Sequence, residues 1–425
     1  ISADLGNNYP MHRLLQGDVG CGKTIIAALS IGLCAESGLQ AAFLVPTEVL
    51  ANQHFETIKK ALRGLSFLKD TSGEQQIKVI TSSLSKKEAE SIYEGLSTDK
   101  IKVIIGTHAL IQEKITFKKL GLVVIDEQHK FGVAQRSLLP QKGLVTPHCL
   151  VMSATPIPRS LALSLYGDLD LTVIEDLPKG RIKPQTMWLK EKKRKWVYDF
   201  LKKEIESGRQ AYVVYPVIEE SIDEDLKSLK IMHKSLVKEF TGLCVKEFHG
   251  KMKAQDKEKA IKDFKDGTIH ILVCTTVIEV GLNIENATVM VVENPERFGL
   301  AQLHQLRGRI QRASLQPYFI LLSKENLAQA AAKRLQVISE ESSGFKIAEE
   351  DLLMRGPGDF FGNLQHGLPD LKIANPLRDL ETLKQARHFA YNNIKKDPAL
   401  KDKANECIRR HLENVYNCDI ESLLS

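Results

Sequence analysis

The chain has 425 residues, 43% of them apolar, and a formal net charge of +6. That length holds two or three domains, and such a mild positive charge permits a polyanionic partner without requiring one. No apolar run is long enough to cross a bilayer and no signal-peptide pattern opens the chain. The seven cysteines are scattered without C-x-x-C pairing, so reduced thiols and a cytoplasmic location are expected.

The first residues, Ile1-Ser2-Ala3-Asp4-Leu5, read as part of a helix, and a longer parent chain is expected. A strand predicted at Arg13–Gln16 then leads into Gly17-Asp18-Val19-Gly20-Cys21-Gly22-Lys23-Thr24. This stretch fits the phosphate-loop pattern G-x-x-x-x-G-K-[ST], and the helix formers from Ile25 to Leu33 give it the right sequel. Gly17, Gly20 and Gly22 let the backbone curl so that its N–H groups face phosphate oxygens. The following helix adds its positive end. Lys23 is placed to reach the β- and γ-phosphates, and Thr24 to hold Mg²⁺. A glycine-rich turn without a ligand is the alternative.

Strands predicted at Ala41–Val45, Lys78–Ile80, Lys102–Ile105, Leu122–Ile125 and Cys149–Met152 alternate with helical patterns, which argues for a parallel sheet covered by helices. The strand Val123-Val124-Ile125 ends in Asp126-Glu127. Beside a phosphate loop, Asp126 would hold Mg²⁺ through water and Glu127 would polarise the attacking water. Two carboxylates after a strand say little alone; the upstream loop and the following Gln128-His129 strengthen them. Ser153-Ala154-Thr155 follows the next strand. Its hydroxyls could bond the neighbouring carboxylates and relay the nucleotide state, or simply turn the chain before Pro156.

The rhythm is lost over residues 168–183, where Pro178 and Gly180, with Pro184 beyond, suggest a linker. A second alternation follows, with strands predicted at Gln185–Leu189, Ala211–Pro216, Val245–Phe248, Ile269–Cys274, Thr288–Glu293 and Tyr318–Leu322. It makes a second sheet without a phosphate loop of its own. The charge run from Lys190 to Lys195 reads as a solvated helix start. Within Gln305-Leu306-Arg307-Gly308-Arg309-Ile310-Gln311-Arg312, Arg309 and Arg312 share a helix face. An arginine supplied from a facing domain stabilises the charge that phosphoryl transfer develops; a plain basic helix surface is the alternative. From Leu327 the pattern is mostly helical, with a loop expected at Arg355-Gly356-Pro357-Gly358-Asp359 and two or three amphipathic helices over Pro376–Leu424. The expected layout is 1–167, a linker at 168–183, 184–325, and a helical segment at 326–425.

Taken in order, these segments resemble the superfamily 2 helicases, and among them the RecG-type ATP-dependent DNA helicases. The resemblance rests on the phosphate loop, PTEVLANQH (Pro46–His54), GTHALIQ (Gly106–Gln112), DEQHKFGVAQR (Asp126–Arg136), MSATPIPR (Met152–Arg159), Thr275–Gly281, ERFGLAQLHQLRGR (to Arg309) and RGPGD (Arg355–Asp359). It implies an α/β fold of two tandem RecA-like parallel-sheet lobes, followed by a helical C-terminal segment. It also implies ATP and Mg²⁺ as cofactors, with Gly17, Asp18, Gly20, Gly22, Lys23, Thr24, Asp126 and Glu127 forming the site in the first lobe. Gln305, Arg309 and Arg312 would complete it from the second lobe. His129, Ser153 and Thr155 would couple it to DNA, and Pro46, Thr47, Thr107, His108, Thr275 and Thr276 would grip phosphates. Arg355 and Gln365 would belong to the family's translocation motif.

The implied partner is branched double-stranded DNA, meaning forks and Holliday junctions, in repair and recombination, with single-strand-binding protein as a further candidate and a monomeric state. The transcription-repair coupling motor, an RNA helicase and a non-enzymatic nucleotide-binding scaffold are the alternatives. The sequence departs from the family pattern at Asn283 for Asp, Gln311 for Gly and Cys21 for a commoner small residue. The family's N-terminal wedge domain and adenine-sensing glutamine motif are not in this sequence.

Overall fold

The computed structural model describes residues 1–7, 9–69, 76–112, 114–127, 146–153, 169–176, 178, 180–216, 222–275, 284–311, 315–362 and 379–416. A short helix, α1 (Ser2–Leu5), precedes β1 (His12–Gly17), α2 (Lys23–Glu36), β2 (Gln40–Leu44), α3 (Glu48–Ala61), β3 (Ile77–Ile80), α4 (Lys86–Ser97), β4 (Val103–Gly106), β5 (Leu120–Asp126), β6 (His148–Ser153) and β7 (Asp170–Ile174). These strands form one sheet in the order β3-β4-β2-β5-β6-β1-β7, every pairing parallel. Local chemistry starts the helices. The Thr47 hydroxyl accepts from Leu50 N–H at the head of α3, and Ser85 with Glu88 forms a capping box on α4.

The chain then builds β8 (Gln185–Lys190), α5 (Arg194–Glu206), β9 (Gln210–Val214), α6 (Ile222–Glu239), β10 (Val245–Phe248), α7 (Ala254–Lys265), β11 (Ile271–Cys274), β12 (Ala287–Glu293), α8 (Leu300–Ile310) and β13 (Tyr318–Ser323). The second sheet is ordered β10-β11-β9-β12-β13-β8 and is also parallel throughout. Helices α9 (Gln329–Glu340), α10 (Gly344–Gly362), α11 (Leu380–Lys396) and α12 (Glu406–Tyr416) end the described chain. Tertiary contacts divide the protein into two compact units. The first holds both sheets and ends at Gly356; the second includes α11 and α12.

Both faces of the second sheet are buried. Tyr212, Leu272, Met290 and Phe319 enter one apolar cluster with α8 and α9. Their strand neighbours Val213, Val273, Val291 and Ile320 enter another with α5 and α6. A sheet covered on both faces in this way accounts for the near-continuous apolar runs of the strands. The two sheets also share a polar device. Gln40, the first residue of β2, donates its amide to the carbonyls of Leu96 and Ile101 at 2.9 and 2.8 Å. Gln210, the first residue of β9, donates likewise to Phe264 and Ile269, both at 2.6 Å. Each glutamine closes the turn from a helix end into the next strand.

Three expectations change. Residues 168–183 are not linker throughout: Asp170–Ile174 forms β7, the edge strand beside β1. Its half-buried, polar-interrupted sequence hid it. The Arg355–Asp359 cluster is not a loop, because α10 runs through it to Gly362. Proline in a helix interior removes one N–H donor and crowds the carbonyl four residues back, yet the helix spans the cluster. The charge run at Lys190–Lys195 is solvated at Lys192, Lys193 and Lys195. Arg194, however, turns inward to Glu293, which is 1% exposed, with contacts of 2.5 and 2.9 Å.

Candidate nucleotide site

The carboxyl ends of β5, β6 and β1 lie side by side, and open α/β sheets bind ligands at such an edge. The β1 end continues into the phosphate loop. Gly20 and Gly22 have φ of +78° and +105°, a left-handed backbone that glycine adopts without steric cost. Gly22 is also the N-cap of α2, so the loop's N–H groups and the helix's positive end face the same volume. Thr24 sits half-buried in the first turn of α2.

Lys23 is 8% exposed. Its Nζ donates to the carbonyls of Gly17 and Asp18 at 2.8 and 2.9 Å, and Cys21 Sγ lies 3.8 Å away. The ammonium is thus held within the loop by neutral acceptors, which it can leave for phosphate oxygens.

Asp126 ends β5, in register with Met152 of β6. His54 of α3 approaches its Oδ2 at 3.2 Å, and the Glu127 N–H donates to Oδ1 at 3.1 Å. Burial pushes this carboxyl up, but the His54 bond and charge, with Lys23 nearby, outweigh burial and hold it below the usual carboxylate range. It is therefore ionised at neutral pH. Glu127 follows in the left-handed region at φ +52°. Ser153 is buried at the end of β6, opposite Gln16 of β1.

The second sheet's helix α8 reaches the phosphate loop directly. His304 Nε2 meets Asp18 Oδ1 at 2.5 Å, while the Val19 and Gly344 N–H groups donate to the same carboxylate at 2.6 and 3.1 Å. On the other ring atom, His304 Nδ1 accepts from Arg307 at 3.1 Å. That fixes the tautomer: Nε2 carries the proton and donates to Asp18. Arg307 also donates to the carbonyls of Ile338, Glu341 and Ser342 at 2.8, 2.7 and 3.2 Å. Burial lowers its pKa to about 10, and it stays charged at neutral pH. Burial raises the pKa of Asp18, but His304 and the Val19 and Gly344 N–H groups together outweigh it and hold the carboxyl below the usual carboxylate range.

The approach is close enough to specify a glycine. A Cβ on Gly308 would come within 2.5 Å of Val19 Cβ. Gly308 is flanked on α8 by Gln305, which is buried, and by half-buried Arg309.

The remaining expected residues distribute as follows. Pro46 and Thr47 follow β2, Thr107 and His108 follow β4, and Thr275 follows β11; all stand at carboxyl edges of their sheets. Thr47 and Thr107 also start helical turns. Arg355 lies within α10. His129, Thr155, Thr276, Asn283, Arg312 and Gln365 lie outside the described residues. Gln311, where the family has glycine, closes α8 at φ −84°, a conformation that needs no glycine.

Nothing singled out His54, His304 or Arg307 for these contacts in the sequence. The available signals were positional: His54 is seven residues after the cap of α3, and His304 is three before Arg307.

Two α/β sheets, a phosphate loop on one and an arginine helix from the other docked on it, are the layout of a two-lobed helicase-type fold. The DEAD/DEAH box helicase model matches residues 9–163 and the helicase conserved C-terminal domain model residues 192–314. The model for ATP-dependent DNA helicase RecG, domain 3, C-terminal, matches residues 341–423. The chain is 47% identical over 388 residues to ATP-dependent DNA helicase RecG of Thermotoga maritima, covering 91% of this chain and 48% of that one. It is 40% identical to the Bacillus subtilis RecG over 424 residues, 100% of this chain and 61% of that one. A structure of RecG bound to a three-way DNA junction superposes with a TM-score of 0.71 at 43% identity, covering 90% of this chain and 48% of that chain. S. cerevisiae Dbp5 bound to RNA and ADP BeF3 shares the fold alone, with a TM-score of 0.59 at 17% identity over 83% of this chain and 90% of that chain.

The chain belongs to the RecG family of ATP-dependent DNA helicases and matches its motor region, with two RecA-like lobes. It spans about half the length of the curated relatives it matches.

Proposed function

We propose that this chain is an ATP-hydrolysing motor that moves along double-stranded DNA and remodels branched forms, replication forks and Holliday junctions, in repair and recombination. One observation carries the proposal: α8 of the second lobe is seated on the phosphate loop of the first through Asp18–His304 and Val19–Gly308. A loop so placed can sense the distance between the lobes. Lys23 would exchange its carbonyl acceptors for phosphate oxygens, and Glu127 would orient the attacking water. Arg309, next to Gly308, would stabilise the charge developed in transfer.

Magnesium fits the same corner. Such sites take one or two protein oxygens and leave the rest to phosphates and water, and Thr24 with ionised Asp126 supplies them. When bound, the ion would neutralise phosphate charge.

Pro46, Thr47, Thr107, His108, Thr275 and Thr276 would hold DNA phosphates, with His129, Ser153 and Thr155 relaying the nucleotide state. Arg355 and Gln365 would pass lobe movement to the duplex. The layout we propose is a first lobe (1–167), a connector (168–183) whose strand β7 adds an edge to the first sheet, a second lobe (184–325) and a helical segment (326–425). The working form would be a cytoplasmic monomer, with single-strand-binding protein as a candidate partner. Among the described residues no helix is long and apolar enough to cross a membrane.

The test is ATP turnover measured without DNA, with single strands, with duplex and with a model fork. Duplex and fork should stimulate most, and Arg309→Ala should lower stimulated turnover roughly 10³-fold. Normal turnover by Arg309→Ala, or stimulation by RNA alone, would overturn the proposal.

A further inference from the structure

We propose that Arg181, on the connector between the two sheets, is an additional nucleotide-binding residue whose guanidinium contacts the phosphate chain held by the loop. The proposal rests on the nucleotide-site reading above. Arg181 lies between β7 and β8, after Gly180 at φ +89°. Its N–H closes a turn onto the Pro178 carbonyl at 3.4 Å, which brings the side chain back to the first lobe. There the guanidinium lies against Gly20. A Cβ on Gly20 would fall 1.8 Å from Nη1, 2.8 Å from Cζ and 3.3 Å from Nη2, so a side chain there would displace the guanidinium.

The charge is unbalanced. A guanidinium has five N–H donors, and among the described residues Arg181 spends one, Nη1 to the Gln311 carbonyl at a long 3.3 Å. The carboxylates of the loop and of the β5 end are engaged elsewhere: Asp18 with His304 and Gly344, and Asp126 with His54. Lys23 brings a second cation to the same loop. Two cations beside a backbone curled for anions, with no carboxylate on Arg181 among the described residues, fit a polyphosphate, which accepts a guanidinium in a forked, charge-assisted contact. Gln311 closes α8, the helix that carries Arg309. Arg181 therefore touches the loop and the second-lobe helix together, and a phosphate that takes its donors also releases Gln311.

The structural alternative is that Arg181 only caps the carboxyl end of α8. Fluorescent ADP and ATP binding, together with ATPase KM and kcat on duplex DNA, separate the two for wild type, Arg181→Ala, Arg181→Lys and Lys23→Ala. We expect Arg181→Ala to weaken nucleotide binding and raise KM about 10- to 100-fold. Its nucleotide-free melting temperature should match wild type, and Arg181→Lys should recover part of the affinity. Unchanged nucleotide affinity in Arg181→Ala, or a fall in nucleotide-free melting temperature with no change in affinity, would overturn the proposal. If Arg181→Ala does not fold, Arg181→Lys decides alone: affinity equal to wild type refutes a forked contact. Failure of the nucleotide-site reading is recognised separately, because Lys23→Ala would then bind nucleotide as well as wild type.

Discussion

His54 and His304 do the same work on different carboxylates: each approaches an aspartate of the candidate nucleotide site and, with neighbouring N–H groups, helps offset the cost of burying its charge. The consequence is a defined pH dependence. A carboxyl held below its ordinary value stabilises the folded state at every pH above that ordinary value, near 4. The contribution disappears as pH falls through the lower, folded value. The stability difference between wild type and Asp18→Asn should therefore be constant from about pH 8 to 5 and shrink below about pH 4. Urea unfolding across that range checks it, and a difference that vanished near neutrality would show that His304 does not bond a charged Asp18.

At the scale of elements, α8 is positioned by absence of a side chain as much as by bonds. Gly308→Ala would set a methyl 2.5 Å from Val19 Cβ, with the loop backbone on one side and the α8 core on the other. The lobes should be forced apart while each sheet stays folded. Turnover should fall at least about 10-fold with melting temperature little changed, since a displaced catalytic group loses rate steeply.

The two buried glutamines make a stability counterpart. Gln210→Leu leaves the Phe264 and Ile269 carbonyls without their donor, at about 1–3 kcal/mol for each, measurable by denaturant unfolding. Most of the strands were legible because parallel strands buried on both faces read as short apolar runs. β7 was not, since its residues are only half-buried and sit among breakers. The phosphate loop and the strand ending in Asp126-Glu127 were legible because each is a contiguous pattern whose residues stay together at one sheet edge. His304 and Arg307 were not, because their partners, Asp18 and the carbonyls of residues 338–342, are distant in sequence.

At the scale of the whole molecule, Asp18 links the nucleotide loop to Gly344, the first residue of α10, and α10 is the helix that contains Arg355. Loop movement thus has a short covalent and hydrogen-bonded route into the segment matched by the RecG domain 3 model. Arg355→Ala, placed in a full-length family protein, should keep most DNA-stimulated ATPase and lose fork reversal; parallel loss of both with a lower melting temperature would mark a structural role instead.

The strand order carries a different consequence, one of time. β8 is the first strand of the second sheet to be synthesised, yet among the described residues it lies at the sheet's edge and pairs only with β13, the last. The Trp188 indole of β8 finds its acceptor, the Ser323 hydroxyl, at 2.9 Å on that late strand. At about 5–20 residues per second of synthesis, β8 waits roughly ten seconds between Lys190 and Tyr318 with its hydrogen-bonding edge unmatched. The second sheet therefore keeps an open edge during synthesis until β13 arrives, and the Trp188 indole reports the moment it closes.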